Sequence, residues 1–319
     1  MLCPICQQEA RRFGRNRNGS QRFVCNQCHK TFTDPDSEAP DRRCVDPAQL
    51  TMALRMFLEG TSIRSAERLT GISRQTIIDA MLEAAHLCQR LMDKVLESVP
   101  VLDVEADEIW GFVGCKEKSK ERNGRGDEAG DAWCYVAIER NNKLVLAWHV
   151  GKRTPYDTGV FARKLYTATH GGRFQLTTDG YGPYRLAIRS AFGSSIDYAQ
   201  LVKVYAAVRN EGEARYSPPE VVDAYPVHQM GNPDEERICT SHAERGNRSI
   251  RMAMRRMTRL TDAHSKKFDN HKAAFALWFA YYNFCRVHMT LKTTPAVAAG
   301  LASDTWTLER LLAEARRVG

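Results

Sequence analysis

The sequence predicts a multidomain protein in which two small modules precede a large mixed α/β domain. Three observations carry that prediction. Cysteines fall in two Cys-x-x-Cys pairs within the first 28 residues, apolar residues recur at helical spacing from residue 48, and from about residue 100 short apolar runs alternate with helical patterns. A chain of 319 residues is long enough to bury one large core and to carry accessory modules.

The charge distribution points to a polyanionic partner. The chain has a formal net charge of +8 at pH 7. Residues 1–33 hold six Arg or Lys against one acid, and residues 245–259 hold six arginines and no acid, which indicates nucleic-acid contact at several places. No apolar run is long enough to span a membrane and the N-terminus lacks a signal-peptide pattern, so we expect a cytoplasmic protein without a membrane partner.

Residues 1–33 have the pattern of a zinc ribbon. Eighteen residues separate Cys3-Pro-Ile-Cys6 from Cys25-Asn-Gln-Cys28, and short strands are predicted at QRFVC and KTFTD. Four thiolates in two such turns complete a tetrahedral zinc shell, and the bound metal would replace a core that so short a segment lacks. A redox pair is the alternative, but it leaves the second pair unexplained. We predict one structural Zn²⁺ held by Cys3, Cys6, Cys25 and Cys28.

Arginines lie between the two cysteine pairs, in the segment RRFGRNRNGSQR. We predict that they contact DNA, although a solvated basic loop would have the same pattern. The next stretch, residues 34–47, is rich in Pro and Asp and is typical of a linker. The candidate DNA contacts in the ribbon are Arg11, Arg12, Arg15 and Arg17.

Residues 48–98 have the pattern of a helix-turn-helix. One amphipathic helix ends at Gly60, a second segment places Ile63, Ala66 and Leu69 on one face, and a long third helix follows Ser73 as its N-cap. The first turn of that third helix is the part that reaches base edges in such modules. A plain three-helix bundle would give a similar pattern. The predicted DNA contacts here are Arg74, Gln75 and Thr76.

Residues 99–295 have the element order of a ribonuclease-H-like domain with a mixed five-stranded sheet. Three strands come first, in VLDVEADEIWGFVG, AWCYVAIERN and KLVLAWHVG, the last two joined by a tight Asn-Asn turn. Helix, strand, helix, strand and a late helix follow, with strands in RFQLTTDG and IDYAQLVKVYA. Charged stretches near residues 115–131 and 206–240 are predicted insertions, and residues 296–319 a C-terminal helical tail.

Three acids of this domain lie where metal-dependent phosphodiester chemistry needs them. Asp107 lies in the first strand, Asp179 ends the fourth, and Glu244 is at the start of the late helix. Converging carboxylates bind two Mg²⁺ ions, for which Mn²⁺ can substitute. Asp179 could instead be a turn residue, and Glu244 an acid that favours the helix dipole.

Asp107 also competes with its neighbours in the first strand. Asp103 and Glu105 share its strand face by parity, whereas Glu108 points to the other face. The three-acid assignment therefore depends on the combination and order of the acids rather than on any one of them.

Several stretches carry a family resemblance: CPICQQEARRFGRNRNGSQRFVCNQCHKTF, ADEIWGFVGCK, TTDGYGPY, and ERGNRSIRMAMRRMTRL followed by FDNHKAAFALWFAYYNFCRVH. They resemble transposases of the insertion-sequence-one family, within the wider DDE group, from residue 3 to about residue 290. The resemblance implies that Asp107, Asp179 and Glu244 are the catalytic residues. It also implies DNA contacts behind the glutamate at Asn247 and Arg251, and helical spacing places Arg248 on the same stripe as a further predicted DNA contact.

A transposase is the function that this resemblance implies. The N-terminal modules would bind the terminal inverted repeats of an insertion sequence, and Mg-dependent cleavage would free a 3′-OH that attacks target DNA. Its partner would be double-stranded DNA in a bacterial or archaeal cytoplasm, and joining two ends implies a homodimer or higher oligomer. The alternatives are a catalytically silent DNA-binding regulator, a ribonuclease-H-like nuclease without strand transfer, and an RNA-binding scaffold.

Overall fold

The computed structural model describes residues 1–16, 20–33, 45–170, 172–206, 220–259 and 261–318. The chain forms two compact units, one of Met1–Arg55 and Ile63–Ala80, the other of Met56–Ser62 and Met81–Gly319. The first unit contains a three-stranded sheet and the second a six-stranded mixed sheet. Most of the predicted linker lies outside the described residues.

An antiparallel sheet of three short strands forms around the cysteines, in the order β1-β2-β3. The predicted strands QRFVC and KTFTD correspond to β2 (Gln21–Cys25) and β3 (Thr31–Thr33). The basic segment between the cysteine pairs adds β1 (Ala10–Arg15), whose side chains are almost all exposed. The sheet has few buried apolar side chains, as expected of a fold that a metal stabilises.

Three helices follow at the predicted places: α1 (Pro47–Leu58), α2 (Ile63–Thr70) and α3 (Arg74–Val95). The predicted N-cap is confirmed, because Ser73 Oγ accepts a hydrogen bond from the Gln75 amide at 3.3 Å. The predicted apolar face of α2 is wrong at Leu69, which is 70% exposed while Ala66 is fully buried. Each step of three residues rotates the side-chain direction by about 60° around the helix axis relative to the starting residue. Leu69, the third residue of the series, therefore points away from the core.

The large sheet has the strand order β6-β5-β4-β7-β8-β9. β4 and β7 are parallel, as are β7 and β8, while the pairs β4/β5, β5/β6 and β8/β9 are antiparallel. The predicted meander and the two later strands are all present. The strands are β4 (Asp103–Val113), β5 (Gly130–Glu139), β6 (Val145–Gly151), β7 (Gln175–Asp179), β8 (Asp197–Tyr205) and β9 (Val221–Met230).

The prediction of five strands is wrong by one, because the predicted insertion at 206–240 contains β9. This strand pairs antiparallel with β8 at the edge of the sheet. Most of its side chains are exposed, so it lacks the buried apolar run that marks a strand in a sequence. It also contains Pro226, which an edge strand tolerates because one side of its backbone is unpaired.

Helices cover both faces of the large sheet. On one face Tyr135 of β5 packs against Phe161 and Tyr184, from α4 and α5. On the other face α6 contacts β4 and β5, and the central part of α7 is buried with Phe275 and Trp278. The four helices are α4 (Pro155–Thr169), α5 (Pro183–Phe192), α6 (Ser241–Ala253) and α7 (Phe268–Phe284).

Two further helices, α8 (Pro295–Ala298) and α9 (Leu308–Arg317), follow in the predicted C-terminal region. Both contact α7, and Trp306 stacks on Phe284 with ring centroids 4.4 Å apart. Across the described part of the chain, each helix is too short or too polar to traverse a lipid bilayer.

Candidate functional site

The first two acids of β4 have partners within the fold. Asp103 is buried and is paired with Arg140 at 3.1 Å and Arg237 at 3.2 Å. Glu105 is fully buried and accepts hydrogen bonds from the amides of His242 and Ala243 at 2.8 and 3.0 Å, at the start of α6. Glu105 therefore satisfies donors that a helix N-terminus leaves unpaired, and it attaches α6 to the sheet.

Asp107 lies where β4 passes the end of β7. The parallel ladder between these strands stops at the pair Ala106/Thr178, so the next residues of each strand, Asp107 and Asp179, emerge side by side. Asp107 accepts hydrogen bonds from the Glu108 amide and from Asn247 Nδ2, both at 2.8 Å. The Tyr181 amide donates to Asp179 Oδ1 at 3.1 Å.

Asp107, Glu108 and Asp179 each place a carboxylate oxygen within 4.8 Å of the others. Burial and the nearby Asp179 charge raise the pKa of Asp107 to about 6. Burial and the charges of Asp179 and Asp107 raise the pKa of Glu108 to about 7. Burial also raises the pKa of Asp179. Three acids so close together, one buried and two half-buried, repel one another when ionised, which makes the cluster a suitable site for a cation.

Glu108 is the member of this cluster that strand parity assigned to the opposite face. Its side chain does lie on the α4/α5 side, where Arg153 contacts Oε1 at 2.5 Å and the Tyr184 hydroxyl donates to Oε2 at 3.0 Å. Because β7 ends at Asp179, no neighbouring strand separates the two faces at this point. Side chains from both faces can therefore approach Asp179.

Glu244 lies in the first turn of α6 and is not a member of the three-acid group among the described residues. Its Oε1 accepts from Thr240 Oγ1 at 2.8 Å and forms an ion pair with Lys203 of β8. Its side chain is 47% exposed. It nevertheless lines the same cleft as Asp107 and Glu108, which has a volume of about 370 Å³.

The described residues thus offer suitable oxygen ligands for a hard divalent cation beside the cleft. Carboxylate oxygens are the protein ligands that Mg²⁺ prefers, and it usually takes one or two of them per ion. Asp107, Glu108 and Asp179 supply three, with Glu244 further along the same cleft. Lys203 lies near the cluster and lowers the pKa of both aspartates, opposing the effect of burial.

The arginines after Glu244 divide into two kinds. Arg251 donates to the carbonyl oxygens of Met257 and Trp110, both at 3.1 Å, and burial lowers its pKa to about 10. Arg256 is half-buried, donates to Ser265 Oγ at 3.2 Å, and also has a pKa lowered to about 10 by burial. The other four are exposed, namely Arg245, Arg248, Arg255 and Arg259.

Two of those exposed arginines, Arg248 and Arg259, line the cleft of the acids together with Arg251 and Asn247. Asn247 binds Asp107 rather than Glu244, and its Oδ1 is buried with no hydrogen-bond partner among the described residues. The apolar side of this segment packs into the core, since Ile250, Met254 and Met257 are buried.

The four cysteines of the ribbon lie together, with all Sγ atoms within 4.8 Å of one another. The Sγ distances are 3.7 Å between Cys3 and Cys28 and 3.4 Å between Cys6 and Cys25. Tetrahedral zinc with bonds of about 2.3 Å needs sulfur atoms roughly 3.8 Å apart, so the group fits this ion. The amides of Cys28 and Gln27 donate to Cys25 Sγ and lower the pKa of its thiol to about 6, favouring the thiolate.

The remaining predicted DNA contacts lie on the surface of the first unit. Arg11, Arg12 and Arg15 are exposed on β1, and Arg17 lies outside the described residues. Arg74 and Gln75 are exposed and Thr76 is half-buried in the first turn of α3. Gln75 Nε2 donates to Asp79 Oδ1 at 2.8 Å within the same helix.

No protein-family model and no curated protein matches this sequence. Among solved structures, a match is the cryo-EM structure of a piggyBac transposase synaptic complex with hairpin DNA, at 10% sequence identity and a TM-score of 0.27. The match covers 86% of this chain and 65% of the piggyBac chain, so this chain spans less than two thirds of that protein's length.

Proposed function

We propose that the protein is a DDE-type DNA transposase that cleaves and joins DNA strands with the help of Mg²⁺. The observation that carries the proposal is the approach of the Asp107, Glu108 and Asp179 carboxylates to within 4.8 Å, beside a cleft lined by arginines. Acids at the point where two adjacent parallel strands stop pairing, facing basic side chains, suit phosphodiester chemistry.

The strand arrangement supports the same proposal. The order β6-β5-β4-β7-β8, with β5 antiparallel to its neighbours, is the arrangement expected of a ribonuclease-H-like domain, and β9 extends it at one edge. In such a domain the first and fourth strands are adjacent, so their acids meet. Asp107 and Asp179 occupy those two strands.

The chain's own residues would divide the work as follows. Asp107 and Asp179 bind divalent cations, and Asn247 fixes the orientation of the Asp107 carboxylate through its 2.8 Å hydrogen bond. Bound Mg²⁺ supplies charge neutralisation at the phosphate and lowers the pKa of a nucleophilic water or hydroxyl. Arg248 and Arg259 hold the DNA backbone at the cleft, positioning the scissile phosphate beside the acids.

Glu244 is the third acid of this proposal, and Glu108 supports the site from the opposite face. Glu244 lines the cleft and is exposed enough to reach an incoming ion. Glu108 already has two partners, Arg153 and Tyr184, which hold it in place. Its charge adds to the negative potential that attracts a cation.

The first unit would recognise the DNA. The zinc ribbon and the three following helices bind the terminal inverted repeats of an insertion sequence through the exposed side chains Arg11, Arg12, Arg15, Arg74 and Gln75. Two ends must be brought together before joining, so the active form is a homodimer or a larger assembly.

A strand-transfer assay tests the function. Purified protein, Mg²⁺ and DNA carrying the inverted repeats that flank the gene should yield cleaved ends and joined products. Asp179→Asn should abolish both while leaving end binding intact, and Glu128→Gln, at an exposed acid outside the cleft, should behave like wild type. Cleavage without joining would indicate a nuclease, and binding without cleavage a regulator. Full activity of Asp179→Asn would refute the assignment of the site.

A further inference from the structure

A second cleft continues from the acid-lined one along β4. Its volume is about 400 Å³, and it shares Arg251 and Arg259 with the first cleft, so the two are contiguous. Between Asp107 and Phe112 no strand of the described residues pairs with the β7 side of β4, although Val113 bridges to Ser265 further along, and both clefts follow this stretch of β4. A DNA strand with a phosphate at Asp107 therefore has an adjoining space into which its next nucleotides can extend.

Aromatic rings form one wall of this second cleft. Trp110 and Phe112 of β4 have ring centroids 5.8 Å apart, and Phe112 lies 4.5 Å from the His264 ring. All three rings line the cleft, and all three are only half-buried. Exposed aromatic faces bind nucleobases by stacking, and they accept any base because each base has a π-face.

Cations surround the aromatic wall. The lining includes Lys116, Arg251, Arg256 and Arg259 against one acid, Asp262. Arg251 and Arg256 have lowered pKa values of about 10 but stay protonated at neutral pH. A cleft that pairs aromatic rings with an excess of positive charge is complementary to a nucleotide, whose base is flat and whose phosphate is negative.

We propose that this second cleft binds an unpaired nucleotide of the DNA strand whose phosphate lies at the acids. The proposal rests on the proposed function for the identity of the strand, but the cleft itself is argued from its rings, its charge and its continuity with the acid-lined cleft. Trp110 and Phe112 stack on the base, and Arg259 and Lys116 bind the adjacent phosphates. A base held there has left the duplex, so the cleft also holds the DNA end open beside the acids.

Photochemical cross-linking of the full-length protein tests this directly. The probe is a short single strand, or a duplex end, carrying iododeoxyuridine at successive positions, mixed with the protein in Ca²⁺ to permit binding without cleavage. Irradiation should cross-link one position to the peptide that contains Trp110 and Phe112. Trp110→Leu should remove that cross-link and weaken binding of the single strand by about tenfold, as expected for one stacked base.

Paired arginine variants keep the test decisive if Trp110→Leu fails to fold. Arg259 and Arg255 are both exposed and lie four residues apart, but only Arg259 lines the clefts. Arg259→Ala should lose most of the cross-link, whereas Arg255→Ala should retain it. Cross-links confined to residues 1–98, or unchanged in Arg259→Ala, would overturn the nucleotide site.

The two proposals fail separately. Mg-dependent cleavage with no cross-link near Trp110 would leave the transposase and remove the nucleotide site. A cross-link near Trp110 in a protein that never cleaves DNA would leave the nucleotide site and remove the transposase. A protein that neither cleaves DNA nor forms a cross-link near Trp110 would contradict both.

Discussion

Four acids of β4 lie within six residues, and each has a different environment. Asp103 is paired with two arginines, and Glu105 binds the start of α6. Asp107 and Glu108 approach Asp179 from opposite faces of the sheet. Their neighbours in the fold, rather than their spacing in the sequence, distinguish them. Burial and neighbouring carboxylates raise the pKa values of Asp107 and Glu108, because the nearby opposite charge does not offset them.

The acid cluster should make the metal-free protein less stable as the pH rises. The folded-state pKa values of about 6 and about 7 exceed the ordinary values of 3.8 and 4.5, so the folded state binds more protons between about pH 4 and 7 and its stability falls across that range. Asp179→Asn removes one repelling charge. In EDTA at about pH 8 it should raise the melting temperature, by roughly 2–4 °C for each kcal/mol regained.

The matched control for this measurement is Glu128→Gln, at an exposed acid outside the cluster. It should not change the melting temperature. Mg²⁺ should stabilise wild type more at high pH than at about pH 5, because protonated carboxylates do not bind the ion. A metal-free protein equally stable across this pH range would contradict the raised pKa values.

Lys203 should compete with the metal. Its ammonium group is paired with Glu244 and lowers the pKa of Asp107 and Asp179. We expect Lys203→Met to reduce the Mg²⁺ concentration needed for half-maximal stabilisation, because a bound cation no longer has to displace or tolerate this charge. Thermal shift titrations with Mg²⁺ measure it, and Lys118→Met, at an exposed lysine, is the control. A requirement for more Mg²⁺ in Lys203→Met would show that Lys203 instead supports the site.

At the scale of elements, α6 owes its position to a carboxylate from another element. Glu105 is fully buried and accepts from two amides and from His242 Nδ1 at 2.7 Å. Glu105→Ala should leave those donors without acceptors and cost about 1–3 kcal/mol or more in the free energy of unfolding. Urea denaturation measures this loss, with Glu121→Gln at an exposed position as the control. An unchanged midpoint would show that water replaces the carboxylate.

The three-stranded sheet should depend on zinc. Metal analysis of the purified protein should find one Zn²⁺ per chain, and Cys25→Ser should lose it because thiolate is the stronger ligand. Amide hydrogen exchange should then become fast in β1, β2 and β3 while β4 and β5 stay protected. Cys115→Ser, at a half-buried cysteine outside the cluster, should keep the metal. Protection of β2 in the metal-free protein would contradict this role.

The elements that the sequence predicted differ in kind from those it missed. β4 to β8 have buried apolar side chains, and α7 is almost continuously buried, so hydrophobic patterning marks them. β1 and β9 expose most of their side chains and bury none, so they lack the buried apolar pattern by which a strand is recognised in a sequence. The Asp107–Asp179 approach could be predicted from strand order. The contribution of Glu108 could not, because parity does not reveal where a neighbouring strand ends.

At the scale of the whole molecule, the net charge of +8 does not translate directly into DNA contacts. Six arginines follow Glu244 in the sequence, but Arg251 and Arg256 bind the protein's own carbonyl and hydroxyl groups. Sequence alone could not separate these from the exposed four, because burial depends on distant segments such as α7. Substitutions among these six arginines should therefore affect DNA binding at the exposed positions and protein stability at Arg251 and Arg256.

That division can be measured with two substitutions. Arg248→Ala should weaken DNA binding, reduce the slope of log affinity against log salt by about 0.9, and leave the free energy of unfolding unchanged, because it is exposed. Arg256→Ala should cost about 1–3 kcal/mol in the free energy of unfolding, since it loses hydrogen bonds to Ser265 and Asn270 and the contact with the Phe57 ring. Equal loss of stability in both variants would contradict the division.

The stretch of β4 from Asp107 to Phe112, along which both clefts lie, gives the protein a way to measure length. A strand advances about 3.4 Å per residue, so Asp107 and Phe112 are separated by about 17 Å along one rigid backbone. Stacked DNA rises about 3.4 Å per nucleotide, so this interval corresponds to about five stacked nucleotides, or fewer if the strand is stretched. The sheet would thus act as a ruler, and the offset between the cut and the displaced base would be set by strand geometry rather than by DNA sequence.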